Sequence, residues 1–208
     1  MIPDLVIDAP NKIKSSAGFD AIAQAIESLI SKKSNNKSVD IAAKSLKISF
    51  KYYLEFIRNP SKENTSAMCL AANLSGKAIS ISRTTAPHAV SYPFTSHFNI
   101  SHGHAVSLTL NKFLKFNYEN INLADCNFNL KQRYNILFEL TGSQNINHLE
   151  QFLFDIQKKA RLERNFNKLG INIKKHYSKI ITGINVQRLL NNPVKLKKND
   201  VKIILFKN

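Results

Sequence analysis

Apolar residues along this chain recur mostly at intervals of three and four. Between Gly18 and Lys32, Phe19, Ile22, Ala23, Ile26, Leu29 and Ile30 fall on one side of a 3.6-residue turn, so the spacing predicts a helix. The stretch from Ser38 to Asn59 repeats the pattern, with Ser38 as the expected N-cap and Pro60 beyond its end. A third helix is expected from Ser61, with Glu63 and Asn64 in its first turn, continuing to Ser80. The segment from Thr84 to Ala105 carries Pro87, Pro93 and four serines or threonines between its histidines, and reads as a loop. Helical spacing resumes near Gly103, and a polar break spans Glu119 to Asn129. Further helices are expected over Leu130–Leu140, Ile146 to about Arg164, Ile173–Leu190, and from Asp200 with Asn199 as its cap. The only strand signal is Leu5–Ile7 before a Pro-marked turn. The pattern contains no internal repeat and predicts an all-α bundle with one short N-terminal strand.

Composition narrows this only a little. At 208 residues with 43% hydrophobic content, the chain can bury a good-sized core. No apolar run reaches the length of a membrane span, and the N-terminus lacks the features of a secretory signal. Cys69 and Cys126 are too few and too far apart for a disulfide framework, and read as reduced core thiols of a cytoplasmic protein. The formal charge of +16 could mark a nucleic-acid binder. Its lysines are spread along the whole chain beside many asparagines, and no nucleic-acid-binding motif accompanies them, so solvated helix faces are the simpler reading.

The candidate chemistry sits in the His-rich segment. His88, His97, His102 and His104 account for four of the six histidines, and His88 and His102 stand fourteen residues apart. Imidazole nitrogen suits zinc or iron, and a carboxylate is a common third partner. Asp20 is the candidate, with Gln24 one turn further along the same helix face. The simpler readings are that Asp20 serves a helix N-terminus, that Gln24 is an ordinary hydrogen-bonder, and that His97 and His104 are supporting or exposed residues.

Three stretches carry a resemblance. "GFDAIAQAIES", "SGKAISISRTTAPHAVSYPFTSHFNISHGHAVSLTL" and "NVQRLLNNPVKLKKNDVKIIL" resemble, in order and spacing, the C-terminal domain of the iron-containing alcohol dehydrogenases. The resemblance covers essentially the whole chain. It implies metal-ligand roles for Asp20, His88 and His102, and places Gln24 at a fourth ligand position where the family usually has His. A second family His position holds Tyr92, which could donate or relay a proton, as could His104. The pattern is similar to the phosphonoacetaldehyde reductase-like branch. That likeness implies a small aldehyde or alcohol substrate, a phosphonate among the candidates, gripped by Lys77, Arg83, Thr84 and Thr85. Arg83 could equally be a helix C-terminal cation.

The family also implies a divalent metal, iron or zinc, and NAD(P) held by an N-terminal α/β domain. None of the six glycines here forms a phosphate-binding loop. Residues 1–16 are therefore expected to be a remnant strand and linker from a dinucleotide-binding domain, and 17–208 the helical metal-binding domain. On that reading the isolated chain binds metal but reduces no aldehyde unless another chain supplies the NAD(P)-binding half. The exposed former interface would favour a homodimer. The alternative is a non-catalytic helical interaction protein derived from the same domain.

Overall fold

The computed structural model of the chain describes residues 2–206, apart from the Lys198 side chain. Met1, Lys207 and Asn208, at the ends of the two expected segments, lie outside the described residues. Ten helices form among the described residues: α1 (Asn11–Ile30), α2 (Asn36–Arg58), α3 (Lys62–Ser82), α4 (Ala86–Phe98), α5 (His102–Glu119), α6 (Leu130–Thr141), α7 (Ile146–Lys159), α8 (Ile173–Thr182), α9 (Val186–Leu190) and α10 (Lys198–Phe206). The all-α expectation holds.

The expected strand does not form. Pro3–Leu5 is a short 3-10 turn with Leu5 79% exposed, and the amides of Val6 and Ile7 both bond the Pro3 carbonyl. A strand needs a partner for its free amides and carbonyls, and the one β contact among the described residues is an isolated bridge between Ala124 and Val194. The largest departure is the His-rich segment. It is helix α4, broken from α5 only at Asn99–Ser101, where Asn99 adopts the left-handed conformation. Pro87 sits in the first turn, where its missing N–H costs nothing. Pro93 lies inside the helix and leaves the Ala89 carbonyl without its helical donor, and the Asn185 amide takes it at 3.2 Å.

Boundaries shift for similar local reasons. Helix α1 starts at Asn11, directly after Pro10, so residues 11–16 are helical and Lys14, Ser15 and Ser16 are buried. Asn35, not Ser38, caps α2; Ser38 is the reciprocal partner in a capping box. Ser61 caps α3 in the same way with Asn64. The expected helix over Ile173–Leu190 divides at Gly183 into α8 and α9, and α7 stops at Lys159, before Arg161 turns to a positive φ. The last helix starts at Lys198, so Asn199 lies in its first turn and does not cap it. Cys69 and Cys126 are free thiols but only partly buried, not core residues.

Fourteen of the twenty residues of α1 are buried, so this helix is enclosed on nearly every side and forms the axis of the bundle. Its apolar residues join those of α2, α3, α6 and α7 in one core. A second core forms between α4, α5, α8 and α10, around Val90, Phe94, Phe113, Ile180 and Val201. Helix α5 joins them: Val106, Leu110 and Leu114 face the first core, and Ala105, Leu108 and Phe113 the second. The metal-binding candidates lie on the three helices at this junction.

The approach of α5 to α1 depends on Gly103. A Cβ there would collide with the Ser16 backbone carbonyl and stand 2.9 Å from the Asp20 Cβ. Gly76, on α3, has open space around it. Gly103→Ala is therefore expected to destabilise the chain by about 1–3 kcal/mol, and Gly76→Ala to stabilise it by about 0.5–1 kcal/mol through helix propensity. Urea unfolding of the two variants measures both, and equal midpoints would contradict this packing account.

Candidate metal centre

Asp20, Gln24 and Glu27 lie at i, i+4 and i+7 of α1, on one face. Asp20 is nine residues past the start of the helix, beyond the reach of its N-terminal dipole, so the simple reading of Asp20 as a dipole partner falls away. Glu27 is wholly buried. Its Oε2 accepts from the Thr85 amide at 2.6 Å and the Thr85 hydroxyl at 2.8 Å, and its Oε1 pairs with His88 Nδ1. Thr85 is the N-cap residue of α4, so the carboxylate also lies at the positive end of that helix. His88, in the first turn of α4, is buried and held by this bond in a fixed orientation.

The other ring nitrogen, His88 Nε2, faces Asp20 Oδ1 at 3.3 Å, and His102 Nε2 stands 3.8 Å from the same oxygen. His102 is the first residue of α5, delivered by the approach at Gly103. Neither Asp20 Oδ1 nor His88 Nε2 has a hydrogen-bond partner, although both are buried. With Nδ1–H donated to Glu27, neutral His88 turns a lone pair toward a carboxylate lone pair. Two buried acceptors facing each other call for positive charge between them. One oxygen and two imidazole nitrogens, all within 4.8 Å of one another, make a donor set that fits zinc or iron(II).

The sequence pattern of the Fe-containing alcohol dehydrogenase family, C-terminal part, matches residues 14–208. The chain belongs to the Fe-containing alcohol dehydrogenase family. It is 27% identical over 128 residues to the phosphonoacetaldehyde reductase of Streptomyces viridochromogenes, which covers 61% of this chain and 32% of that protein. It is 28% identical over 116 residues to the 1-propanol dehydrogenase of Salmonella typhimurium, covering 55% of this chain and 31% of that one. The matched stretches span about a third of the length of these curated relatives. Among solved structures, sulfoacetaldehyde reductase from Bifidobacterium kashiwanohense in complex with NAD+ superposes with a TM-score of 0.84 at 25% identity, covering 99% of this chain and 54% of that one. An archaeal alcohol dehydrogenase from a Red Sea brine pool reaches a TM-score of 0.88 at 21% identity, covering 99% and 53%, and shares the fold.

Within this iron-type domain the other expected residues divide. Gln24 touches the triad through its nitrogen: Nε2 donates to Asp20 Oδ2 at 2.7 Å, and Oε1 accepts from Ser75 at 3.0 Å. The amide oxygen expected to face a metal is therefore occupied by Ser75. The Tyr92 ring lies against His102, with centroids 5.6 Å apart. His104 does not join the triad; its Nε2 lies 2.7 Å from the Glu163 carbonyl, and its amide bonds Ser16 Oγ. Thr85 is committed to Glu27, and the Thr84 hydroxyl accepts from Arg188. Arg83 is exposed at the end of α3, Lys77 is exposed on α3, and His97 is exposed on α4. No helix among the described residues is long and apolar enough to cross a membrane.

Three residues absent from the sequence reading complete the picture. Glu27 orients His88, and its signal was a second acid, after Asp20, inside the apolar run of α1. Arg188 sits over the Tyr92 ring at 5.3 Å. Asn191 bonds the carbonyls of Ser82 and Thr84, both at 2.9 Å, and so fixes the loop that leads to His88.

The two histidines titrate in opposite directions. Burial alone would lower His88, but the Glu27 and Asp20 carboxylates on either side lift it to about 9. Burial lowers His102, with His88 and Arg188 nearby acting the same way and Asp20 only partly opposing them, so its lone pair stays available. In the metal-free chain a proton on His88 thus neutralises the Asp20–His88 contact, and a metal must displace it. Zinc binding near neutral pH is expected to release about one proton from His88, with affinity rising up to about tenfold per pH unit until pH approaches 9. Calorimetry in buffers of different ionisation enthalpy counts the protons; binding without release would contradict the assignment.

Proposed function

We propose that the chain is the metal-binding domain of an oxidoreductase that interconverts a small aldehyde and its alcohol, with Asp20, His88 and His102 as the protein ligands of a divalent ion, iron or zinc. The observation that carries this reading is the partnerless Asp20 Oδ1–His88 Nε2 contact beside His102. The names of the relatives, reductases of phosphonoacetaldehyde and sulfoacetaldehyde and a propanol dehydrogenase, agree with the reaction class.

Asp20, His88 and His102 would hold a divalent ion, which when bound would supply Lewis acidity toward a carbonyl oxygen. The chain's own groups do the rest. Glu27 fixes the His88 ring and leaves Nε2 free to bind. Gln24 holds Asp20 by its Oδ2, turning Oδ1 toward the two imidazoles. With Gln24 acting as a prop, three side chains, Asp20, His88 and His102, would hold the ion. In the reducing direction a hydride adds to the carbonyl carbon and a proton goes to the oxygen. Tyr92, against His102 and partly accessible, is the hydroxyl proposed to supply that proton. The proposed hydride donor is a nicotinamide dinucleotide bound by a domain outside these 208 residues, in keeping with the NAD+ complex of the sulfoacetaldehyde reductase.

Cobalt(II) in the site gives an absorption spectrum sensitive to its ligands. Adding 1-propanol to the cobalt-loaded chain is expected to change that spectrum. A spectrum indifferent to 1-propanol and other small alcohols would mark a closed, structural site and overturn the reading. Gln24→Ala is expected to weaken cobalt binding by about 10–100-fold, whereas Asp20→Ala removes it. Equal losses in the two variants would make Gln24 a ligand after all.

A further inference from the structure

A cleft of about 1690 Å³ runs along the face of α5 that carries Ser107, Leu108, Asn111 and Lys115, and none of the triad residues lines it. Its other walls come from α7, the connection between α7 and α8, and α10. It is larger than the roughly 300–1,000 Å³ of a small-molecule pocket. The buried side chains of Leu108, Ile171 and Ile204 give it an apolar floor. Six cations (Lys112, Lys115, Lys158, Arg161, Arg164 and Lys174) stand in its wall against four acids. Three of those acids are already committed: Glu150 to Lys115 at 3.1 Å, Glu163 to the amides of Arg164 and Asn165, both at 2.8 Å, and Asp200 to the Lys197 amide at 2.7 Å. The wall therefore favours an anionic occupant.

Two of the cations are held in place. Arg164 lies over the Phe154 ring, 3.4 Å from its centroid, and among the described residues no carboxylate forms an ion pair with it. Arg161 takes the left-handed position that closes α7, at φ 57°, where glycine is the usual residue. His104 Nε2, 2.7 Å from the Glu163 carbonyl, ties the segment between them to the start of α5. An independent sign comes from two buried amides in the cleft wall, Asn111 and Gln157. Gln157 Nε2 donates to the Ser107 carbonyl at 2.9 Å, and Asn111 Nδ2 to the Glu150 carbonyl at 3.5 Å. Their oxygens, Gln157 Oε1 and Asn111 Oδ1, have no donor. Ser107 stands one turn before Asn111 on α5, so the two amides are neighbours. Buried acceptors without a donor are costly, and this pair calls for an occupant that brings N–H groups.

We propose that this cleft binds an extended acidic peptide segment of a partner protein. Its carboxylates pair with Arg161, Arg164 and Lys158, its apolar side chains lie on the floor, and its backbone N–H groups donate to Asn111 Oδ1 and Gln157 Oε1. The guanidinium fork matches the two oxygens of a carboxylate. In an extended segment successive side chains point to opposite sides, so alternating acidic and apolar residues reach the cationic rim and the apolar floor together. A second copy of this chain is disfavoured as the occupant, because 30 basic residues stand against 14 acidic ones and like charges repel. The inference is independent of the proposed oxidoreductase function and needs no metal.

Panning the full chain against a displayed library of random peptides, roughly ten residues long, tests it. The expected survivors interleave acidic and apolar residues. A labelled synthetic copy of the tightest one is then titrated by fluorescence anisotropy. Arg161→Met/Arg164→Met, both at exposed side chains, is expected to weaken binding at least about tenfold. Lys44→Met/Lys77→Met removes the same charge at exposed positions outside the cleft, and is expected to cost less than about twofold. Methylating the peptide's backbone nitrogens one at a time is expected to cost about tenfold at one or two positions. No enrichment, survivors without acidic residues, equal losses in the two double variants, or indifference to methylation at every position overturns the proposal. A single-stranded oligonucleotide that binds more tightly than the peptide and is lost in the arginine variant would assign the cleft to nucleic acid instead, and so overturn it as well.

Discussion

A carboxylate buried in the last turn of the central helix, α1, is the constraint on which this domain depends. Glu27 has no solvent access, and an unpaired charge in that position would cost roughly several kcal/mol. Three donors compensate it, two from Thr85 and one from His88. Those donors come from the start of α4, so satisfying Glu27 fixes where α4 begins and how its histidine is turned. The lone pair of His88 is then aimed at Asp20, seven residues earlier on the same helix, and the local demand for a cation follows. The positive charge can be a proton or a metal ion, and the competition between them links the site to pH.

Close backbone approaches make this geometry possible. Gly103 lets α5 touch α1 and bring His102 to Asp20, while Gly18 leaves room for the Tyr53 ring, whose hydroxyl bonds the Ser15 carbonyl at 2.6 Å. On the other side, Pro93 gives up one helical bond, and the freed Ala89 carbonyl becomes the anchor for the start of α9. Asn191 ties the same neighbourhood together by holding the strained turn at Arg83. Gly103 and Pro93 thus act through backbone and Asn191 through its side-chain bonds to backbone carbonyls, and together they help place His102, His88 and the helix that carries Arg188.

This division explains what could be read from the sequence. Helices with regular apolar spacing, such as α1, α2, α3 and α5, were legible because each buries a continuous face. Helix α4 was not, because two prolines and several hydroxyl residues are local signals for a loop, and tertiary partners for the orphaned Ala89 carbonyl and for the Thr85 hydroxyl at its N-cap reverse that preference. The strand at Leu5–Ile7 had the right residue types but no partner to pair with. The residues Asp20, His88 and His102 were legible through spacing and family likeness, and the fold brings them together. Gln24 was legible as a neighbour, but the choice between oxygen and nitrogen facing Asp20 depends on Ser75, fifty-one residues away. Glu27 and Arg188 were hidden for the same reason: their roles come from partners fifty-eight or more residues distant.

The most direct test is the metal content of the purified chain by elemental analysis, beside a His88→Ala/His102→Ala double variant that remains helical by circular dichroism. The account predicts about one zinc or iron per chain, absent from the variant. A folded chain that takes up no divalent metal even when it is supplied, or a variant that keeps its metal, would contradict the claim that the Glu27-oriented histidine and Asp20 form a metal site.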